Sequence, residues 1–148
     1  MIISPDSFLY DEGGTYVWSV ERVKAAWESA KKRYKTVLGW PIKPEKVVLM
    51  VGAPASGKST WLSRNANERV LYFDATFDLP WKRRPYIDIA HSIGVPVEIV
   101  WLHTPLEVCI ERNAARSEDR RVPVEVVEAM YHKILSAPPD EKEGVALT

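Results

Sequence analysis

Short, unbroken apolar runs along this chain alternate with longer stretches in which apolar residues return every third or fourth position. The runs at 46–51, 70–73 and 95–102 each read as a strand buried on both faces, since such a strand needs no polar alternation. Between them, Val23, Trp27, Ala30, Tyr34 and Val37 recur at helical spacing, with Ser19 placed to cap and Gly39 to stop the helix. Another helix falls within 81–93, its regular part starting near Pro85 and ending at Gly94. Thr104, Pro105 and Glu107 read as a capping box with proline at the first helical position, which predicts a helix from 105 to about 114. Pro123 opens a last helix, with Val124, Val127, Met130 and Ile134 on one face and Pro138-Pro139 beyond it. Strands alternating with helices predict an α/β class with a mainly parallel sheet and helices on both of its faces. Both ends stay open. Met1-Ile2-Ile3 fits either a frayed terminus or a strand with Asp6 at its carboxyl end, and Val145-Ala146-Leu147 fits either a frayed tail or a short strand. Residues 7–18 hold Gly13-Gly14, Phe8, Tyr10, Tyr16 and Trp18, and read as a loop.

Chemistry enters directly after the run at 46–51. Gly52-Ala53-Pro54-Ala55-Ser56-Gly57-Lys58-Ser59 matches G-x-x-x-x-G-K-[ST], a phosphate-binding loop, and a helix follows from Thr60. Two glycines there free backbone angles closed to other residues, so successive N–H groups can point inward at a phosphate. The helix N-terminus adds partial positive charge. Lys58 can reach the β- and γ-phosphates of a nucleotide, and the Ser59 hydroxyl can ligate Mg²⁺. Residues 52–60 are therefore the expected nucleotide-binding segment. Ligands in parallel sheets bind beyond the carboxyl ends of the strands, which places Asp6 and Asp74 beside this loop if their strands are its neighbours.

Composition narrows the function classes. A length of 148 residues suggests one domain with a single core. Formal net charge is zero, whereas a protein coating long nucleic acid carries a basic field. Any such contact must be local, at Lys82-Arg83-Arg84 or at Arg112, Arg116, Arg120 and Arg121, and for either cluster a solvated face is the ordinary reading. The only cysteine, Cys109, excludes an intrachain disulfide and falls in a helical pattern, so it reads as core. No stretch is long and apolar enough for a membrane span, and no secretory signal is visible, so a cytoplasmic protein is expected. His91, His103 and His132 are scattered, and no chemistry is assigned to them.

From Asp74-Ala75-Thr76 onward, through Arg83-Arg84, Thr104-Pro105, Arg112-Asn113-x-x-Arg116, Val122-Pro123 and Met130-Tyr131, the chain resembles P-loop kinases of the polynucleotide 5′-hydroxyl kinase type. The resemblance implies a three-layer P-loop NTPase fold with a small helical lid, and ATP or GTP as donor with Mg²⁺. It also implies transfer of the γ-phosphate to a 5′-hydroxyl end of RNA or DNA. In that family the strand ending in the catalytic aspartate follows the P-loop helix. Here the P-loop helix leads straight to the strand ending at Asp74, and the missing strand–helix unit matches residues 1–40. The resemblance thus implies a transposed unit at 1–40, a P-loop core at 41–111, a lid with its following helix at 112–136 and a tail at 137–148. Short connections rather than one strand order are what a sheet requires, so such a rearrangement is physically allowed.

By the same resemblance Asp6 accepts the proton of the attacking hydroxyl, and Arg116 clamps the transferring phosphate. Lys58 and Arg112 hold nucleotide phosphate, Ser59 and Asp74 attend the metal, and Asp74, Arg83 and Arg84 help hold the acceptor. One position departs from the family. Its arginine three residues after the catalytic aspartate is Leu9 here, which favours an alternative acceptor, a small hydroxyl compound such as a nucleoside or sugar. A non-catalytic nucleotide-binding regulator is the remaining alternative. The site is expected in a monomer or in a dimer that exchanges the N-terminal unit.

Overall fold

The computed structural model describes residues 1–148. Five strands form one all-parallel sheet: β1 (Ile2–Ile3), β2 (Lys46–Val51), β3 (Val70–Phe73), β4 (Val97–Trp101) and β5 (Ala146–Leu147), in the order β1-β3-β2-β4-β5. The helices are α1 (Val20–Leu38), α2 (Lys58–Asn65), α3 (Pro80–Ser92), α4 (Leu106–Ala114) and α5 (Val124–Ser136). This is the α/β, P-loop NTPase-like architecture, with a chain order in which the N-terminal strand takes the outer place beside β3.

The central strand β2 shows why both faces are covered. Val47, Leu49 and Val51 point into one core with Tyr34 and Leu38 of α1 and with Ile87 and Ala90 of α3. Val48 and Met50 point into the other with Leu62 of α2. Alternate residues of a strand face opposite sides, and here each side is apolar. The larger core is closed by an aromatic cluster of Trp27, Tyr34, Phe73, Phe77 and Tyr86, and the buried Tyr34 hydroxyl donates to the Tyr86 carbonyl at 2.8 Å.

The two ends, left open by the pattern, both enter the sheet. The N-terminal ammonium donates to Val70 O at 3.1 Å, Tyr72 N donates to Met1 O at 2.9 Å, and Asp74 N donates to Ile3 O at 2.8 Å. At the other edge Thr148 N donates to Ile99 O at 2.9 Å, while Glu98 accepts from Lys46 at 2.5 Å and from the Thr148 hydroxyl. Strands of two residues are too short to announce themselves by periodicity; backbone pairing with an existing edge makes them.

Helix boundaries follow the caps with three corrections. The Ser19 Oγ accepts from Arg22 N at 3.1 Å and starts α1 as expected. The P-loop helix begins at Lys58, two residues before Thr60, because Gly57 already caps it. Helix α3 starts at Pro80 and runs through Pro85, so Pro80 is the first-turn proline. The capping box at 104–107 does not form, because Thr104 Oγ1 donates instead to Ser56 O at 2.5 Å and braces the P-loop.

Arg83 and Arg84 are also not where the resemblance implies. The Arg83 side chain is 0% exposed and pairs with the Glu143 carboxylate through Nε at 2.9 Å and Nη2 at 3.1 Å, while Nη1 donates to Phe77 O at 2.6 Å. Arg84 bonds Asp88 and the Glu143 carbonyl. Both arginines tie the C-terminal turn to α3; Arg83 is thereby buried, whereas Arg84 keeps an exposed side chain that does not line the main cleft. Arg83→Met is expected to destabilise the fold by about 2–4 kcal/mol, since it strands a largely buried carboxylate. Thermal unfolding would measure this; an unchanged melting temperature with lost acceptor binding would restore the acceptor role.

Candidate active site

A cleft of about 1360 Å³ opens beyond the carboxyl ends of β1, β2 and β3. Its lining includes Asp6, Lys58, Ser59, Asp74, Arg112 and Arg116. That volume exceeds the usual range for a single small ligand and leaves room for a donor and an acceptor together.

The P-loop is shaped by two different glycine requirements. Gly57 has φ +101°, a left-handed conformation that a Cβ would strain. Gly52 has no positive φ; it is needed for space, because a Cβ there would sit 2.4 Å from Ser56 Oγ. Ala55 adopts φ +63°, a costly conformation for a residue with a side chain and one concentrated at ligand-binding turns. Ser56 Oγ is buried without a hydrogen-bond partner. Lys58 Nζ folds back to donate to Gly52 O at 2.8 Å and Ala53 O at 3.1 Å. Burial pulls its pKa down to about 8; Asp74 and Asp6 oppose that shift and Arg116 adds to it.

Asp74 follows β3, and its pKa is raised, by burial first, with Lys58 lowering it, Asp6 raising it and the Ser59 hydroxyl lowering it. Asp6, Asp74, Lys58 and Arg116 all line the one cleft. Asp6 is exposed, on a 3₁₀ turn (Pro5–Phe8) whose Leu9 N donates to Asp6 O at 3.1 Å. Leu9 is 2% exposed and packs inward.

A short excursion joins α4 to α5, the segment expected to serve as a lid. Its base is closed by Asn113, whose Nδ2 donates to Val122 O at 2.7 Å and whose Oδ1 accepts from Val122 N at 3.1 Å. Arg112 Nη1 lies 3.4 Å from where a Gly57 Cβ would stand, so its guanidinium hangs over the P-loop. Arg116 is exposed on the cleft, and its carbonyl accepts from Arg121 Nε at 2.8 Å.

Residues 66–137 match the family described as an AAA domain. The match begins after α2 and takes in β3, α3, β4, α4, α5 and the segment between the last two helices. None of the curated proteins matches the chain. Together with the fold and the loop at 52–59, the match supports a nucleotide-binding P-loop domain.

A metal fits this site only in company with a nucleotide. No group of three His, Cys, Asp or Glu gathers to hold one alone. A hydroxyl (Ser59) beside a carboxylate (Asp74) is the donor set that Mg²⁺ accepts when phosphate oxygens and waters complete its shell. No helix is long and apolar enough to cross a membrane. Sequence reasoning missed three features here: the Asn113 clamp, the Thr104 brace and the exposed Trp81 on the cleft wall. Asn113 and Thr104 stood inside quoted motifs, but nothing in spacing says which backbone group a short polar side chain will find.

Proposed function

We propose that the protein is a Mg²⁺-dependent kinase that transfers the γ-phosphate of ATP to a hydroxyl acceptor, with a 5′-hydroxyl end of RNA or DNA as that acceptor. The observation that carries the transfer step is the presence of Asp6 on the cleft that holds Lys58, Asp74 and Arg116. Members of the matched family are commonly kinases, which supports phosphoryl transfer in general. We read residues 1–40 as the acceptor-side strand–helix unit moved ahead of the P-loop, on the strength of the outer position of β1 beside β3.

In this reading the P-loop amides and Lys58 hold the β- and γ-phosphates, with Arg112 over Gly57 on the same side. Asp6 accepts the proton as the acceptor oxygen bonds to the γ-phosphorus and the bond to the β-phosphate bridging oxygen breaks, releasing ADP. Arg116 balances charge on the transferring group. Ser59 and Asp74 would hold Mg²⁺, directly or through water; when bound, the ion supplies further neutralisation of phosphate charge.

A second acceptor is favoured by specific residues. With Leu9 buried and apolar, and Arg83 and Arg84 engaged by the C-terminal turn, none of these three positions offers the cleft a cation for an end phosphate. A small hydroxyl compound needs none. Trp18 (49% exposed) and Trp81 (68% exposed) both line the cleft, and large exposed rings on a binding wall suit an acceptor with a flat ring, such as a base.

Labelled γ-phosphate transfer to a panel of 5′-hydroxyl oligonucleotides, nucleosides and sugars separates these readings. Label in the oligonucleotide supports the first, and label only in a nucleoside or sugar supports the second. ATP hydrolysis with no labelled acceptor would overturn both in favour of a nucleotide-binding regulator.

A further inference from the structure

The loop at 9–17 is a built hairpin rather than a free segment. Asp11 N donates to Thr15 O and Val17 N to Leu9 O, both at 2.8 Å. The Asp11 Oδ1 accepts from Gly13 N and Thr15 N, both at 2.9 Å, and Gly14 turns at φ +81°. Arg22 clamps the hairpin base onto α1 through Nε to Val17 O at 3.0 Å and Nη2 to Leu9 O at 3.2 Å. The Tyr10 and Tyr16 rings meet edge to face at 5.4 Å.

Onto this hairpin comes the lid. Arg120 Nη1 donates to the Tyr10 hydroxyl at 2.7 Å, and its guanidinium stands 5.4 Å from the Tyr16 ring and 6.0 Å from the Tyr10 ring. The neighbouring Arg121 holds the Arg116 carbonyl, so a contact at Arg120 reaches the backbone of Arg116 through one residue. Tyr16 itself lines the cleft. Asp6, Arg116 and Arg120 line the same cleft, and the Tyr16 phenol has its pKa raised, by burial first and then by Asp6, with Arg120 opposing.

We propose that Arg120, docked on Tyr10 and Tyr16, is a positioning residue that sets the lid's Arg116 against the acceptor-side Asp6. The hairpin precedes the P-loop in the chain and the lid follows it, so this contact is where the two substrate halves meet outside the P-loop. The positioning role rests on the kinase reading above; the docking contact does not. The cost of opening is modest, since water competes for an exposed charged contact and discounts it. A lid must open to release product.

The test uses the full chain and ATP-Mg²⁺ with water as acceptor, so no acceptor need be known. Hydrogen exchange of residues 115–122 in the free protein reads the dock. Tyr10→Phe, which deletes only the hydroxyl, should speed it about fivefold, and Arg120→Ala should speed it more. Arg120→Ala should lower the rate of ATP hydrolysis about tenfold while ATP affinity stays within about twofold. Arg120→Lys should recover part of that rate. The melting temperature should stay put, because Arg120 is exposed. Unchanged exchange in both variants would overturn the dock. A rate loss matched by lost affinity or lost stability would overturn the positioning role. A wild-type chain that binds no ATP would overturn the kinase reading and the positioning role with it, while the exchange result still judges the contact.

Discussion

Asp6→Asn should abolish phosphoryl transfer, by about 10²- to 10⁴-fold, and leave ATP affinity within about twofold. The substitution keeps the shape of the side chain and removes its capacity to take a proton. Asp6 is exposed at the cleft on the turn that follows β1, not in the loop at 52–59, so nucleotide binding has little reason to change. Initial rates of labelled transfer, with ATP binding measured calorimetrically on the same preparation, decide it. Full activity would remove Asp6 from the mechanism. Equal loss of binding and rate would make it a nucleotide ligand instead.

Lys58→Ala should weaken both steps, with ATP affinity falling roughly 10- to 100-fold, the loss expected for a charge-assisted hydrogen bond. Transfer should fall further, because charge on the γ-phosphate grows as it leaves. The wild-type residue offers a matching pH test. Burial lowers its pKa to about 8 in the free protein, so Lys58 is an ammonium below that pH and a neutral amine above it. A polyphosphate favours the ammonium and must raise the pKa on binding. Above pH 8, binding therefore takes up a proton, and affinity should fall with rising pH by up to about tenfold per unit. Below pH 7 the lysine contributes no such slope. Calorimetry in buffers of different ionisation enthalpy would detect the proton; a pH-independent affinity between 8 and 9.5 would show that Lys58 does not touch the phosphates.

Much of the donor side was legible because its information is local. A strand, a glycine-shaped turn, a lysine and a helix N-terminus lie within a single stretch, and the physical demand on each position is visible in its residue type. Even there, one reason changed: Gly52 is required by the approach of Ser56 Oγ and not by its dihedral angle. The acceptor side was less legible because its parts are far apart in sequence. The reading of Arg83 as an acceptor ligand failed at Glu143, which lies about sixty residues on and takes Arg83 into the interior. Arg120 was legible only as one of a basic cluster, because its partner Tyr10 lies 110 residues away.

The sequence by itself determined the α/β class, the central buried strand, the helix starting at Ser19 and the phosphate loop at 52–59, all from patterns within a few turns of chain. Only the tertiary structure decided that Met1-Ile2-Ile3 is a strand, because two residues have no period and gain strand geometry solely from the unpaired edge of β3. That pairing brings Asp6 to the cleft. The physical reason is the same in each case: a backbone pattern can be read wherever its own neighbours satisfy it, whereas an ion pair or an edge strand is decided by whatever distant group the fold places within hydrogen-bond reach.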